Sequence, residues 1–199
     1  TDYARVAGLS AVTARVRDAV GDSFIIGAQI MWNCITPSLA VCKAAGADFT
    51  RCSVLTGKAE SPYGMVWGDP LKVGEYRSRI NAWKIGMLSE ISGYHHATQY
   101  NPDEIKALAG ASMRLGADAI EVYDKDFAMN ERLVKDVKEA GNFPVILGGG
   151  TTVENCKDRL RYADGALVGT AFEGGKWGGP VIGSIVAEYV RNVRELEED

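Results

Sequence analysis

The hydrophobic positions of the chain follow two alternating patterns. Stretches with an apolar residue every three or four positions, as over residues 4–20, predict amphipathic helices. Between them lie short, nearly continuous apolar runs of the kind that form buried strands. These runs are SFIIGAQIMW, ADFTRCSVL, KIGMLSEI, DAIEVYD, FPVILGG and GALVGTAF. The pattern therefore predicts one helix followed by six βα units.

Proline, glycine and capping residues set the predicted helix limits. Thr36 and Pro37 are typical of a helix start, and Gly46 of a helix end. The pair Thr151 and Glu154 has the spacing of a capping box. Residues 56–68 predict a long loop. The remaining predicted helices cover residues 69–80, 101–115, 130–140 and 152–161, with a last one beginning at Pro180.

Regular βα alternation predicts an α/β fold with a parallel sheet and helical crossovers. A doubly wound open sheet and a (β/α)8 TIM barrel both fit. We expect a single domain over residues 1–199, because no linker interrupts the pattern. Six strands do not close an eight-stranded barrel, and that fold usually needs about 250 residues. If the fold is a TIM barrel, only about six of its βα units are present here, and we expect two more upstream of this sequence.

The composition favours a globular protein over a nucleic-acid-binding or membrane-spanning one. The chain has 199 residues, 46% of them hydrophobic and 24% charged, with a net charge of −4. These values are typical of a globular protein, and the lack of a basic patch argues against a nucleic-acid partner. No apolar run approaches the ~18 residues of a membrane span. The four cysteines show neither CxxC pairing nor zinc-ligand spacing, so we expect a reducing, cytoplasmic compartment.

Polar residues inside the apolar strands indicate a site. Because side chains alternate across a strand, and because an unpaired charge facing apolar helices is costly, we expect these residues to face inward. In a barrel they would lie near the carboxyl ends of the strands, where active sites form. The alternative is a buried ion pair that only fills the lumen. These residues are Gln29, Arg51, Ser53, Glu90, Glu121 and Tyr123.

Glycines end the last two predicted strands. Gly148, Gly149 and Gly150 follow one strand, and Gly169 and Thr170 lie in the next. Glycine permits a close approach of the backbone, and a helix N-terminus offers N–H groups to an anion. Two final strands ending in glycine match the phosphate site of a TIM barrel. The alternative is a tight turn that binds nothing.

His95 and His96 are the only histidines, and they follow the strand that carries Glu90. Glu90, Glu121 or a histidine is a candidate for proton transfer, and Arg51 for steadying an anionic group. We predict no cofactor and no metal ligand; a divalent metal held by a histidine with Glu90 or Asp124 stays an alternative. Candidate substrate-binding residues are Gln29, Asn33, Ser53, Tyr123 and Asp124.

Four segments resemble the BtpA family, which includes SgcQ-like proteins: GAQIMWNCITPSLAVCKAAGADFTRCSVLTG, YRSRI, PVILGGGTTVENC and ADGALVGTAFEGG. The resemblance covers essentially the whole chain and implies a TIM barrel. It also implies either a role in photosystem I assembly or stability, as in one cyanobacterial branch, or an enzyme or ligand binder encoded beside sugar-metabolism genes. The family's characteristic residues correspond here to Asn33, Arg51, Gly57, Gly64, Arg77, the glycines 148–150, Asn155, Asp164, Gly165, Gly169 and Thr170.

Two segments depart from the family. After the strand that ends at Glu90, family members tend to have an aspartate followed by a Lys-His pair, where this chain has YHHA. The family's Thr-Gly-rich loop after the next strand is replaced by YDKDFAMN. Both changes fall on the face expected to hold the active site, so they suggest a divergent branch with another substrate.

These observations predict a cytoplasmic barrel enzyme or ligand binder acting on a small phosphorylated, sugar-like or nucleoside-like metabolite. Isomerase, lyase or aldolase-like chemistry would suit the site, although fold alone does not choose among them. The alternative is a non-catalytic assembly or stability factor of the photosystem I biogenesis type. We also expect a homo-oligomer, with exposed Trp67, Trp83 or Trp177 at its interface.

Overall fold

The computed structural model describes residues 1–61, 64–94, 96 and 100–198. Helices and strands alternate there as the apolar pattern predicts, except that the run SFIIGAQIMW between α1 and α2 forms a single β-bridge rather than a strand. The helices are α1 (Tyr3–Val20), α2 (Ile35–Ala45), α3 (Pro70–Arg79), α4 (Pro102–Arg114), α5 (Phe127–Ala140), α6 (Cys156–Arg159) and α7 (Gly183–Glu198). The strands are β1 (Phe49–Cys52), β2 (Lys58–Ser61), β3 (Gly64–Trp67), β4 (Gly86–Ser92), β5 (Ala119–Val122), β6 (Val145–Leu147) and β7 (Gly165–Ala166).

The main sheet is parallel throughout, with the strand order β1-β4-β5-β6-β7. The apolar run before α2 extends this order at the β1 edge, because Gly27 forms a parallel bridge with Phe49. The predicted strands are therefore parallel and consecutive, and β6 lies beside β7. Among the described residues, no strand links β7 to the run that contains Gly27, so the barrel is not closed.

The region 56–68, predicted as a loop, contains an antiparallel hairpin, so that prediction was wrong. Strands β2 and β3 pair from Lys58 with Trp67 to Ser61 with Gly64. Alternate residues of β2, Ala59 and Ser61, are buried, which is the period of two that a half-buried strand requires. The hairpin stands apart from the main sheet, on the connection that follows β1.

The capping box predicted at Thr151 and Glu154 does not form. The Thr151 hydroxyl accepts a hydrogen bond from the Tyr189 hydroxyl at 3.0 Å, and the Thr152 N–H donates to Asn155 Oδ1 at 2.8 Å. The helix that was expected over residues 152–161 is accordingly the single turn α6. Tertiary contact with α7 has replaced the local capping interaction.

Three other helix starts differ from the prediction. Helix α2 begins at Ile35, with Cys34 rather than Thr36 at the N-cap. Helix α5 begins three residues earlier than expected, because the Asp126 side chain caps it by accepting from the Ala128 N–H. Helix α7 begins at Gly183 rather than at Pro180.

An aspartate precedes each of the strands β1, β5 and β7 and holds the amino end of that strand in register with the segment beside it. Each of these residues, Asp48, Asp118 and Asp164, donates its own N–H to a backbone carbonyl on the preceding strand of the sheet. Its carboxylate accepts the N–H of that same residue, which is Ile26, Met87 or Val145, at 2.7–2.8 Å. Each carboxylate also faces a cation, Arg17, Arg77 or Lys138. We call these three residues the aspartate clamps.

The core lies between the sheet and its helices. One apolar cluster centres on α2 and the strands beside it, and a second on α4, α5 and β5. Buried Arg77 closes the amino end of the sheet, where its guanidinium donates to the carbonyl oxygens of Ile85 at 2.6 Å and Gly116 at 2.9 Å. Arg77, a residue shared with the BtpA pattern, thus has a structural role here.

Candidate functional site

Arg51 on β1 forms an ion pair with carboxylates from two other strands. Its Nε donates to Glu121 Oε2 on β5 at 2.6 Å, and its Nη2 donates to the second oxygen of the same carboxylate. Nη2 also donates to Glu90 Oε2 on β4 at 3.1 Å. The three side chains therefore lie on one face of the sheet, as strand alternation predicts.

The three side chains of this ion pair differ in their exposure to solvent. The Glu90 and Glu121 side chains are each 1% exposed, whereas the Arg51 side chain is 23% exposed. The carboxylates thus lie beneath the guanidinium and hold it in a fixed orientation, since a bidentate pair constrains both partners. Arg51 is the member of this group that reaches solvent.

Two carboxylates share one cation, and the pKa of Glu90 is raised to about 7. Burial is the main cause and the nearby Glu121 charge adds to it, while Arg51 opposes both. Burial also raises the pKa of Glu121, against the hydrogen bond from Arg51. Glu90 can therefore gain or lose a proton near neutral pH, which is the property of a general acid or base.

His96 lies beside this group. Its Nε2 donates to the Ser53 carbonyl oxygen at 3.0 Å and is 3.8 Å from Glu90 Oε1. His95 lies outside the described residues, so its placement stays a prediction. Within the described part of the chain, no three His, Cys, Asp or Glu side chains are grouped closely enough to hold a metal ion.

Three predicted substrate-binding residues form internal hydrogen bonds. The Gln29 amide donates to the buried Ser53 hydroxyl at 3.3 Å. Asn33 accepts from the Val54 N–H at 2.8 Å and donates to the Val54 carbonyl at 3.1 Å, which fixes the loop after β1. These contacts support the backbone around Arg51, and a substrate role for the three residues stays a prediction.

The glycines after β6 and β7 line one cleft of about 870 Å³, open at the carboxyl ends of the strands. Its walls are Arg51, Tyr94, residues 148–152 and 167–171, Glu173, Gly175 and Trp177. The predicted phosphate-binding residues and Arg51 therefore lie together. Glu90 and Glu121 lie behind Arg51, and Asp124 borders a separate small cavity.

Backbone N–H groups in this cleft have no partner within the described chain. Among the described residues, the N–H groups of 149–151 and of 169–171 donate no hydrogen bond, whereas the Gly148 N–H donates to the Val122 carbonyl at 2.9 Å. A short 3-10 helix, Thr170–Glu173, follows β7 and begins in the cleft. Unpaired N–H groups on two facing loops are suited to an anion.

Packing explains two of the three consecutive glycines. A Cβ on Gly148 would lie 2.5 Å from Glu121 Oε1. A Cβ on Gly150, whose φ is +74°, would lie 2.7 Å from Arg159 Nη1. By contrast, a Cβ on Gly169 would meet nothing within 4 Å. Glycine is therefore required by neighbouring side chains after β6, and not by packing after β7.

Two tyrosines lie beside the glycines that follow β6. Tyr94 stacks on Tyr123 with ring centroids 3.9 Å apart and an interplanar angle of 25°. Burial, together with Tyr94, raises the pKa of Tyr123 to about 12. Sequence reasoning missed Tyr94 and Arg159 and placed Trp177 at an interface rather than in this cleft, because an aromatic or basic residue outside a strand has no periodicity that would indicate its direction.

A parallel sheet whose strands follow one another in chain order, with helical crossovers and a cleft at the carboxyl ends of the strands, is the arrangement of the TIM-barrel class of α/β proteins. The model of the BtpA family matches residues 1–198, and the chain belongs to that family. No helix among the described residues combines the length and hydropathy needed to cross a bilayer.

Relatives of the chain come mainly from archaea. An uncharacterized protein of Pyrococcus abyssi is 33% identical over 159 residues, which is 77% of this chain and 60% of the relative. An uncharacterized protein of Thermococcus kodakarensis is 30% identical, covering 100% of this chain and 74% of the relative. The photosystem I biogenesis protein BtpA of Synechocystis is 23% identical, covering 86% of this chain and 60% of the relative. The chain thus spans about 60–74% of the length of these proteins.

Solved structures with the same fold include enzymes. N-(5'-phosphoribosyl)anthranilate isomerase from Pyrococcus furiosus has a TM-score of 0.63 at 13% identity, covering 94% of this chain and 80% of that one. A 3-hexulose-6-phosphate synthase from Salmonella typhimurium has a TM-score of 0.64 at 15% identity, covering 94% and 81%. At such identities the likeness shows the TIM-barrel fold.

Proposed function

We propose that the chain forms the active-site part of a barrel enzyme acting on a small phosphorylated, sugar-like or nucleoside-like metabolite. The observation that carries this proposal is the cleft that is lined both by Arg51 and by residues 149–151 and 169–171, whose backbone N–H groups have no hydrogen-bond acceptor among the described residues. An anionic group and a second polar group of one molecule could occupy the two ends of such a cleft. The TIM-barrel neighbours are named for phosphorylated compounds, which agrees with this assignment.

In the proposed complex the phosphate lies on the two glycine loops. Arg51 steadies an oxygen-rich or anionic part of the substrate, because its guanidinium is fixed from behind by two carboxylates. Glu90, with a pKa of about 7 and His96 at 3.8 Å, moves the proton. This set of groups suits isomerase, lyase or aldolase-like chemistry.

Differential scanning fluorimetry with paired ligands tests the proposal. The protein should be stabilised by phosphate esters of sugars or nucleosides and not by their dephosphorylated counterparts, because a ligand that binds only the folded state raises the midpoint by mass action. Gly169→Asp should abolish that response without unfolding the protein, since a side chain there enters open space. Gly8→Asp on α1, also in open space, adds the same charge away from the cleft and should respond like the wild type.

A second candidate function is assembly of a larger complex, because one relative is a photosystem I biogenesis protein. Trp67, 67% exposed, and Trp177, 91% exposed, offer aromatic surface for a protein contact or for a homo-oligomer. An equal response to phosphorylated and dephosphorylated ligands, or no response across a broad panel, would overturn the enzyme proposal and favour this second one.

A further inference from the structure

Arg159, at the end of α6, is half-buried, and two of its three guanidinium nitrogens lack a hydrogen-bond partner among the described residues. Its Nε and Nη1 atoms are buried and have no hydrogen-bond acceptor there. Its guanidinium packs over the Phe127 ring, 5.1 Å from the ring centroid. Within the described chain, no carboxylate lies within 4 Å of it, although Arg51 and Arg77 both have such partners.

An arrangement of this kind costs free energy. Burying an unpaired donor is unfavourable, and more so when the group is charged. The ring of Phe127 compensates in part through a cation–π contact. Because most buried polar groups are paired, an orphaned guanidinium requires an explanation, and a bound ion is one of the accepted ones.

The position of the guanidinium suggests that the ion is an anion bound at the glycine loops of the cleft. Nη1 lies 2.7 Å from the point that a Gly150 Cβ would occupy. Gly150 also lines the cleft, and its N–H is among the unpaired donors there. Gly150 therefore lies against the Arg159 guanidinium and also contributes its N–H to the proposed phosphate seat.

The other cations near the cleft differ from Arg159. Arg51 is matched by Glu90 and Glu121, and Lys176 is exposed to solvent on the glycine-rich loop after the 3-10 helix. The N–H groups of the two loops are neutral dipoles. Of the described cations named here, Arg159 is therefore the one that is partly buried and has no carboxylate within 4 Å.

We infer that Arg159, which lies beside the cleft behind Gly150 and lines a small neighbouring cavity with Phe127, contributes positive charge to anion binding there, and that the phosphate of the ligand provides the counter-charge its guanidinium lacks. This inference rests on the proposed function, because it assigns a further residue to the same phosphate seat. The sequence alone does not distinguish Arg159 from the nearby Arg161. The consequence of the inference is that the chain keeps a costly group in the free state in order to bind a dianion.

The inference is tested by removing the charge of Arg159 and measuring both the stability of the protein and its affinity for phosphate. Arg159→Met keeps much of the length and the apolar contact of the side chain but removes the charge. In the phosphate-free protein it should leave the unfolding midpoint unchanged or raise it. Isothermal titration calorimetry with inorganic phosphate should show an affinity weakened roughly tenfold or more, the range expected for losing an interaction with a charged group.

Two further variants complete the comparison. Arg161→Met is the matched control, because Arg161 is exposed and lies 3.9 Å from Asp158, so its phosphate affinity should equal that of the wild type at the same ionic strength. Arg159→Lys keeps the charge and should retain more affinity than Arg159→Met. If Arg159→Met does not fold, Arg159→Gln provides the same comparison, since it removes the charge but keeps a donor.

The outcomes separate the two proposals. If Gly169→Asp abolishes phosphate binding but the uncharged Arg159 variants bind like Arg161→Met, the inference about Arg159 is overturned and the proposed function stands. A lowered midpoint with unchanged affinity would likewise make Arg159 a purely structural residue. If the wild type binds neither inorganic phosphate nor any phosphate ester, both proposals are overturned.

Discussion

Arg51 Nε donates to Glu121 Oε2 at 2.6 Å, and this contact joins β1 to β5 across the intervening strand β4. The pair is not a surface ion pair, because the Glu121 side chain is 1% exposed. It links the sheet below the cleft and fixes the direction of the one charged side chain that reaches the cleft from this group. Its removal should therefore affect folding as well as binding.

We expect Arg51→Ala to lower the free energy of unfolding at pH 7 by about 3–5 kcal/mol, because it leaves two buried carboxylates without their cation. The loss should shrink at lower pH, where these carboxylates can protonate. Urea denaturation at pH values on either side of neutrality measures this difference. Arg15→Ala, at an exposed arginine on α1, is the control. A stable Arg51→Ala protein that has lost only ligand binding would show that the pair is unimportant for folding.

The raised pKa of Glu90 predicts a pH dependence of stability. Burial raises this pKa from 4.5 to about 7, so between these values the folded state binds the proton more tightly than the unfolded state. The contribution of Glu90 is then most favourable below pH 4.5 and declines as the pH rises to about 7, by roughly 3 kcal/mol. The Glu90→Gln variant should lack this decline, so it should gain stability relative to the wild type as the pH rises from about 4.5 to about 7 and keep that gain at higher pH. Parallel stability curves for the two proteins would contradict the assignment.

Two glycine substitutions should differ in their effect on folding. Gly148→Ala places a methyl group 2.5 Å from Glu121 Oε1, so it must displace the carboxylate that holds Arg51. We expect a loss of about 1–3 kcal/mol, as for other overpacked sites. Gly169→Ala enters open space at a φ of −119° and should be nearly neutral. Thermal or urea unfolding of the two variants makes the comparison, and an equal cost at both positions would count against the close approach of Gly148 to Glu121.

An aspartate clamp should contribute measurable stability. Asp48→Ala removes an acceptor from the Ile26 N–H and from Arg17, and we expect a loss of about 1–2 kcal/mol near neutral pH. The bond from the Ile26 N–H lowers the pKa of Asp48 below 3.8, with help from Arg17 and against partial burial. The stabilisation is therefore complete above that value and is lost as the pH falls through the lowered pKa. The difference between wild type and Asp48→Ala should vanish in strong acid, whereas Asp22→Ala, at an exposed position, should match the wild type throughout.

Much of the fold could be predicted because it depends on periodicity. Apolar runs separated by helical patterns indicated the order of the strands, and alternation placed Arg51, Glu90 and Glu121 on one face. The glycines after β6 and β7 could be assigned to one cleft because consecutive parallel strands are neighbours.

Features that depend on distant contacts could not be predicted. The capping box at Thr151 had a valid local signal, but Tyr189, 38 residues away, binds the threonine hydroxyl instead. The hairpin of β2 and β3 is too short to show a clear alternation. Arg159 has the sequence context of a solvated basic residue, and only packing against Phe127 and Gly150 reveals its burial.

The aspartate clamps lie at the opposite end of the sheet from the cleft. Alignment of the strands is therefore set by contacts that do not involve the loops that would meet a ligand. A loop such as 167–182 can therefore be exchanged for that of a relative, with the crossovers placed inside the flanking elements, without touching the contacts that align the strands. Chimeras of this chain that carry a foreign cleft loop should accordingly fold with the strand order unchanged.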